Sequence, residues 1–193
     1  MGRFFYHTAG IFVDYQNIYT RLLYATDVSF NGSAGVLDAG KYYYQNLNIK
    51  YRTDQRKIFN TTVNANYGTY FTGHKLSLSG EINFRIQPYA IFNLTVSHDE
   101  ITLPYLAAPV KIDLISPRID LSFSKSLFFT TFLQYNAQAN GFNINTRFQW
   151  RFKPMSDLFI VYTDNYQPTS NNELKFIPLN KAIVIKLVYW LGL

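Results

Sequence analysis

Few residues in this chain could do chemistry. Histidine occurs only at His7, His74 and His98, and cysteine is absent. The run Ser97-His98-Asp99-Glu100 supplies the residue types of a nucleophile, a general base and an orienting carboxylate, the set used in acyl transfer. The run falls where an extended segment meets a longer connection. Neighbours on a β-strand point to opposite faces, so Ser97 and His98 are expected to diverge rather than cooperate. Without thiolates or an HExxH pattern, three scattered histidines give no zinc site. The expectation is a protein with no catalytic residue, no cofactor and no metal, and so not an enzyme.

The basic residues are more informative. Lys50, Arg52, Arg85, Arg147, Arg151, Lys153 and Lys186, with Glu81, fall at positions that alternate with apolar ones. Alternation puts them on one polar face, expected to line an interior. Arg52, Arg85, Arg151 and Lys153 lie close to tight connections. A basic ring there would favour anionic solutes or dock a periplasmic partner domain by electrostatic attraction, or it would be solvated and paired internally with Glu81 and Asp120. The net charge of +6 is modest, and its spread over alternate positions excludes a concentrated nucleic-acid patch.

The elements that must position these residues are strands. From Phe142 to Lys153, Phe142, Ile144, Phe148, Trp150 and Phe152 alternate with Asn143, Asn145, Arg147, Gln149, Arg151 and Lys153. A globular strand usually has about 5–6 residues, whereas a tilted membrane-crossing strand needs about 9–11. The same period recurs in Leu76–Gln87, Leu127–Asn136, Phe59–Tyr67 and Tyr43–Arg52, and no window sustains a helical period. Ile144, Phe148, Trp150, Ile185, Leu187 and Tyr189 are expected to face lipid. The chain is 48% hydrophobic and 18% aromatic with a mean hydropathy of −0.09, as an apolar exterior diluted by a polar interior requires. The fold class expected is all-β: an antiparallel up-and-down transmembrane β-barrel.

Strands are expected near residues 3–16, 18–31, 41–53, 57–71, 75–87, 89–98, 112–124, 126–138, 141–153, 157–165 and 181–193. Tight turns around 53–56, 87–88, 124–126 and 153–156 alternate with mostly longer connections, as in barrels with short periplasmic turns and long outer loops. Eleven is an odd count, and residues 1–30 show no signal-peptide pattern. Residues 1–193 are therefore expected to be a single barrel domain, or more specifically the C-terminal portion (about 10–12 strands) of a larger barrel with an upstream domain. The final strand, Ala182 to Leu193, sets Ile183, Ile185, Leu187, Tyr189, Leu191 and Leu193 against Lys186, and resembles the terminal signal read by the barrel assembly machinery.

Several segments together carry a family resemblance. They are Tyr51–Lys57, Tyr70–Leu78, Phe132–Asn136, Phe148–Tyr162 and Lys181–Trp190. The combination, across residues 40–193, resembles the C-terminal outer-membrane barrel domain of a Gram-negative family of unknown function that follows a family-9-like carbohydrate-binding domain. The resemblance implies an outer-membrane location, outer-membrane lipid as partner, and a barrel that anchors a carbohydrate-binding-like domain and binds or passes saccharides or other solutes. It transfers no catalytic residues. Periodicity does not distinguish inside from outside, so a soluble secreted β-sandwich or barrel that binds a ligand stays open. An outer-membrane hydrolase using His98 is a second alternative.

Overall fold

The computed structural model describes residues 2–6, 9–28, 36–138, 140–168 and 176–191. These form eleven strands and no helix: β1 (Gly2–Tyr6), β2 (Ala9–Leu22), β3 (Gly40–Arg52), β4 (Phe59–Tyr70), β5 (Gly73–Ile86), β6 (Ala90–Thr102), β7 (Val110–Ser122), β8 (Leu127–Asn136), β9 (Gly141–Lys153), β10 (Ser156–Pro168) and β11 (Phe176–Val188). They join one sheet in sequence order, each antiparallel to the next, as the alternation predicts. The sheet is open: β1 and β11 end the order, and nothing pairs them among the described residues.

Several boundaries differ from expectation. The first hairpin pairs Gly2–Tyr6 with Ala9–Leu22 through Tyr6↔Ala9, not 3–16 with 18–31. Asn17, read as a break, sits mid-strand opposite Gln45. Tertiary pairing overrides the weak turn preference of one asparagine. Past Leu22 the chain leaves the sheet, and an isolated Thr26↔Leu37 bridge ties the two described ends of the connection together. β6 runs on to Thr102 and β10 to Pro168. β11 begins five residues earlier than expected and ends at Val188. Its register slips between Asn165 and Tyr166, which pair with Asn180 and Pro178. Pro178 has no N–H to give the ladder, and a bulge is where a strand tolerates that loss.

Contacts divide the chain into two units, residues 1–81 with 96–113, and residues 82–95 with 114–193. In the first unit, β2 and β3 place Ile11, Val13, Tyr15, Asn17, Tyr19 and Arg21 against Tyr51, Ile49, Leu47, Gln45, Tyr43 and Lys41 on one face. Ala65, Val63 and Tyr67 of β4 continue that face. Leu47 and Ile49 are each 44% exposed, whereas Asn46, Asn48 and Lys50 between them are half-buried. The apolar face is the open one.

The apolar core of this unit lies at the opposite end from the tight turns. Val28, Leu37, Ile101, Leu103 and Val110 are buried there, packed by Leu22, Tyr42, Tyr70, Phe71, Leu106 and Ile112. Leu22, Tyr42 and Tyr70 belong to the polar faces of their strands by register and alternation, so residues 23–28, 36–39 and 103–109 pack over that face. The Tyr70 hydroxyl donates to the Val28 carbonyl at 3.1 Å, and burial pushes the Tyr105 phenol above its ordinary pKa. Gly73 fits tightly here, because a Cβ on it would lie 1.9 Å from the Thr102 carbonyl oxygen. Gly73→Ala is expected to cost about 1–3 kcal/mol, read as a lowered urea midpoint with unchanged slope.

In the second unit, β8 to β11 stack in rows. One face carries Leu127, Trp150, Leu158 and Leu187, then Phe129, Phe148, Ile160 and Ile185, then Thr131, Thr146, Tyr162 and Ile183. The other carries Phe128, Gln149, Phe159 and Lys186, then Thr130, Arg147, Val161 and Val184. β9 shows the opposite bias to β3: Asn143, Asn145 and Arg147 are exposed and Ile144 and Phe148 half-buried. Ile185 on β11 is 67% exposed.

Candidate functional site

The basic residues occupy the polar faces in two groups, one in each unit. In the first unit, Lys50 stands between Phe12 and Asn64, and the Arg52 guanidinium lies over the Phe12 ring at 5.5 Å. In the second unit, Arg147 stands between Thr130 and Val161. Asp120 in that unit binds Arg118 at 2.9 Å and accepts from the Thr130 hydroxyl at 2.8 Å. Arg151 meets Asp157 at 3.3 Å and lies 5.9 Å above Phe128, while Gln149 donates to the same Asp157 oxygen at 3.0 Å. Arg85 lies on β5, half-buried. Lys186 faces the same side as Phe159.

Lys153 behaves differently. Its ammonium donates to the Tyr189 hydroxyl at 3.3 Å and lies 5.3 Å from that ring's centroid. Trp150, Phe152 and Tyr189 form a ladder beside it, with centroids 5.8 and 6.3 Å apart. The irregularity between Ser156 and Asp157 lets the end of β9 turn out of strict alternation. Ile144, Phe148, Trp150, Ile185 and Leu187 share one face of the second unit by register.

Sequence reasoning missed one polar cluster on an otherwise apolar face, around Asp164, and the distant partners of a second, around His98. Asp164 is fully buried between β9 and β11. One of its oxygens accepts from the hydroxyls of Tyr162 at 2.5 Å and Tyr166 at 2.6 Å and meets Lys181 at 3.3 Å. The spacing Tyr162-x-Asp164-x-Tyr166, all of one parity, was the available signal. In the first unit, the His98 Nδ1 lies 2.5 Å from Asp113 and its Nε2 lies 3.8 Å from Glu100. Lys111 reaches Glu100 at 3.9 Å, and Lys75 pairs with Asp99 at 3.3 Å. Ser97 points to the opposite face by alternation, so His98 has a carboxylate partner without the sequence neighbour proposed as nucleophile. His7 lies outside the described residues. Among the described residues, no three of His, Asp and Glu are grouped to hold a metal ion.

A third feature belongs to β2, β3 and β4 of the first unit. A half-open recess of about 580 Å³ is lined by Asn17, Tyr19, Tyr43, Gln45 and Thr69, with Ile18 and Tyr44. The β3–β4 register ends at Asn46↔Gly68. Beyond it the Gln45 N–H donates to the Thr69 hydroxyl at 2.8 Å instead of to a ladder carbonyl. Gly68 allows that close approach, since a Cβ there would meet the Gln45 carbonyl oxygen at 2.1 Å. Tyr19 and Tyr43 flank the recess with ring centroids 5.0 Å apart. Comparison with known protein families and with curated proteins finds no match to this chain.

Proposed function

We propose that this chain forms part of a non-catalytic outer-membrane β-barrel of a Gram-negative bacterium, with outer-membrane lipid as its principal partner. One observation carries the reading: over the middle of β3 and β4 the exposed side chains are apolar, Leu47, Ile49, Tyr51, Val63 and Tyr67, and the polar side chains between them, Asn48, Lys50, Asn64 and Asn66, are half-buried. On β5 the contrast is sharpest, with Ile82 43% exposed and the neighbouring Asn83 8%. A water-soluble sheet buries the opposite set, because apolar area removed from water stabilises by about 25 cal/mol per Å². Lipid reverses that preference.

Strand dimensions support the same reading. From Tyr43 to Tyr51 the open face of β3 is apolar apart from Gln45, and Lys41 follows at the long-loop end. This matches the roughly 9–11 residues of a tilted spanning strand. The Trp150, Phe152 and Tyr189 ladder with Lys153 suits an interfacial girdle at the tight-turn end. Eleven antiparallel strands in sequence order leave the first and last pointing the same way, so an all-antiparallel barrel closes through an odd number of further strands. An open edge cannot face hydrocarbon.

The role proposed is anchoring a carbohydrate-binding-like domain, by the resemblance of residues 40–193, with assembly directed by the terminal strand. The apolar cluster around Ile101 would narrow the interior near the outer loops, which favours an anchor or selective binder of saccharides or other solutes over a wide pore. The paired arginines Arg118 and Arg151 suit a solvated, internally compensated interior. Detergent dependence tests the reading: the chain is expected to aggregate in plain buffer and to be monodisperse and strand-rich in micelles. A folded, monodisperse protein without detergent would sink it in favour of a soluble ligand-binding sheet.

A further inference from the structure

The open face of β2 and β3 is graded in polarity along its length. Arg21 and Lys41 form its outermost row, directly opposite each other. Tyr19 and Tyr43 form the next row, then Asn17 and Gln45 beside Thr69. Tyr15 and Leu47, Val13 and Ile49, and Ile11 and Tyr51 complete it. Successive rows on one face are about 6.6 Å apart, so the cations stand about 13 Å from the amides.

Two features of these rows call for an occupant. Like charges directly opposite on paired strands repel, and Arg21 and Lys41 are both exposed with no carboxylate partner among the described residues. The Asn17 and Gln45 side-chain amides likewise have no hydrogen-bond partner among the described residues, yet they interrupt a face of tyrosine, leucine and isoleucine. Polar groups left unsatisfied against hydrocarbon cost several kcal/mol each. An anion between the cations and hydroxyls on the amides would relieve both.

We propose that this face binds an anionic glycolipid: a phosphate between Arg21 and Lys41, a sugar ring in the recess, and acyl chains along Tyr15, Leu47, Val13 and Ile49. Lysine and arginine supply the charge-assisted contacts a phosphate takes. Tyrosine rings offer an apolar surface with a polar tip, and neutral amides match hydroxyls without demanding charge. A recess of about 580 Å³ lies within the range of small-molecule sites, about 300–1,000 Å³. The proposal rests on the membrane reading for the acyl chains.

The test uses the full chain in phosphocholine micelles, following the Asn17 and Gln45 side-chain amide resonances. Three probes are titrated: octyl glucoside, octyl phosphate and octyl glucoside 6-phosphate. The phosphorylated glucoside is expected to bind saturably and about tenfold more tightly than either of the others. The double variant Arg21→Gln/Lys41→Gln should reduce its affinity to that of octyl glucoside. Asn17→Leu/Gln45→Leu should abolish the preference for a sugar over octyl phosphate. All four positions are exposed, and micelle-bound strand content checks that each variant folds. Equal affinity for octyl phosphate and the phosphorylated glucoside would reduce the face to a surface charge and overturn the proposal, as would no saturable shift. Glucose 6-phosphate binding as tightly as its octyl glycoside would overturn the lipid part. Loss of the membrane reading registers separately, as solubility without detergent.

Discussion

Leu47→Arg is expected to destabilise the protein in phosphatidylcholine bilayers by about 2–4 kcal/mol, whereas Asn66→Arg is expected to be tolerated. Leu47 lies at the middle of the apolar stretch of β3, between Tyr15 and Tyr67, and is 44% exposed. An arginine there would hold its charge against acyl chains far from either interface. Asn66 lies on the opposite face, paired with Asn48, whose buried side-chain oxygen has no hydrogen-bond partner. A guanidinium at position 66 can donate to that oxygen. The measurement is urea unfolding from vesicles, followed by tyrosine and tryptophan emission. If Leu47 faced water instead, its replacement would change stability by no more than about 0.5 kcal/mol, and that result would place the open face in solvent.

Ile101→Ala is expected to cost about 2–5 kcal/mol, the usual range for removing a fully buried isoleucine side chain. Ile101 is 0% exposed and its cluster partner Leu103 2%, so no neighbour can relax into the space without moving the connections that cover it. Leu94, on the same strand but on its open face, should lose far less on truncation. Chymotrypsin supplies a second readout, because Tyr105 and Leu106 lie in the connection that the cluster holds down. Cleavage there should accelerate in Ile101→Ala and not in Leu94→Ala. Similar losses in the two variants would mean that the cluster does not set the stability of the loop end.

Residue-by-residue alternation made the strands β3 to β9 legible within a few positions, because a side-chain period of two marks a strand wherever its faces meet different surroundings. It also sorted Ile144, Phe148, Trp150, Ile185 and Leu187 onto one face. It failed where local chemistry is ambiguous. Gly10, the one glycine between Phe4 and Tyr19, sits inside β2 opposite Arg52 and not in a turn, so local chemistry divides the first hairpin in the wrong place. The start of β11 was missed because Pro178 reads as a strand breaker, and only a bulge against Tyr166 accommodates it.

Alternation and turn chemistry alone specify a sheet of long, two-faced antiparallel strands with tight turns at one end and mostly longer connections at the other. Tertiary structure decided which long-range partners meet: Asp164 with Lys181, His98 with Asp113, and Val28 and Leu37 with Ile101. It also decided that the apolar faces of β2 to β4 stay open while Asn48 and Lys50 are covered. The division has a physical cause. Periodicity is a property of the backbone, written into every pair of neighbouring residues, whereas strand register and the side a face turns toward depend on contacts between residues distant in the chain.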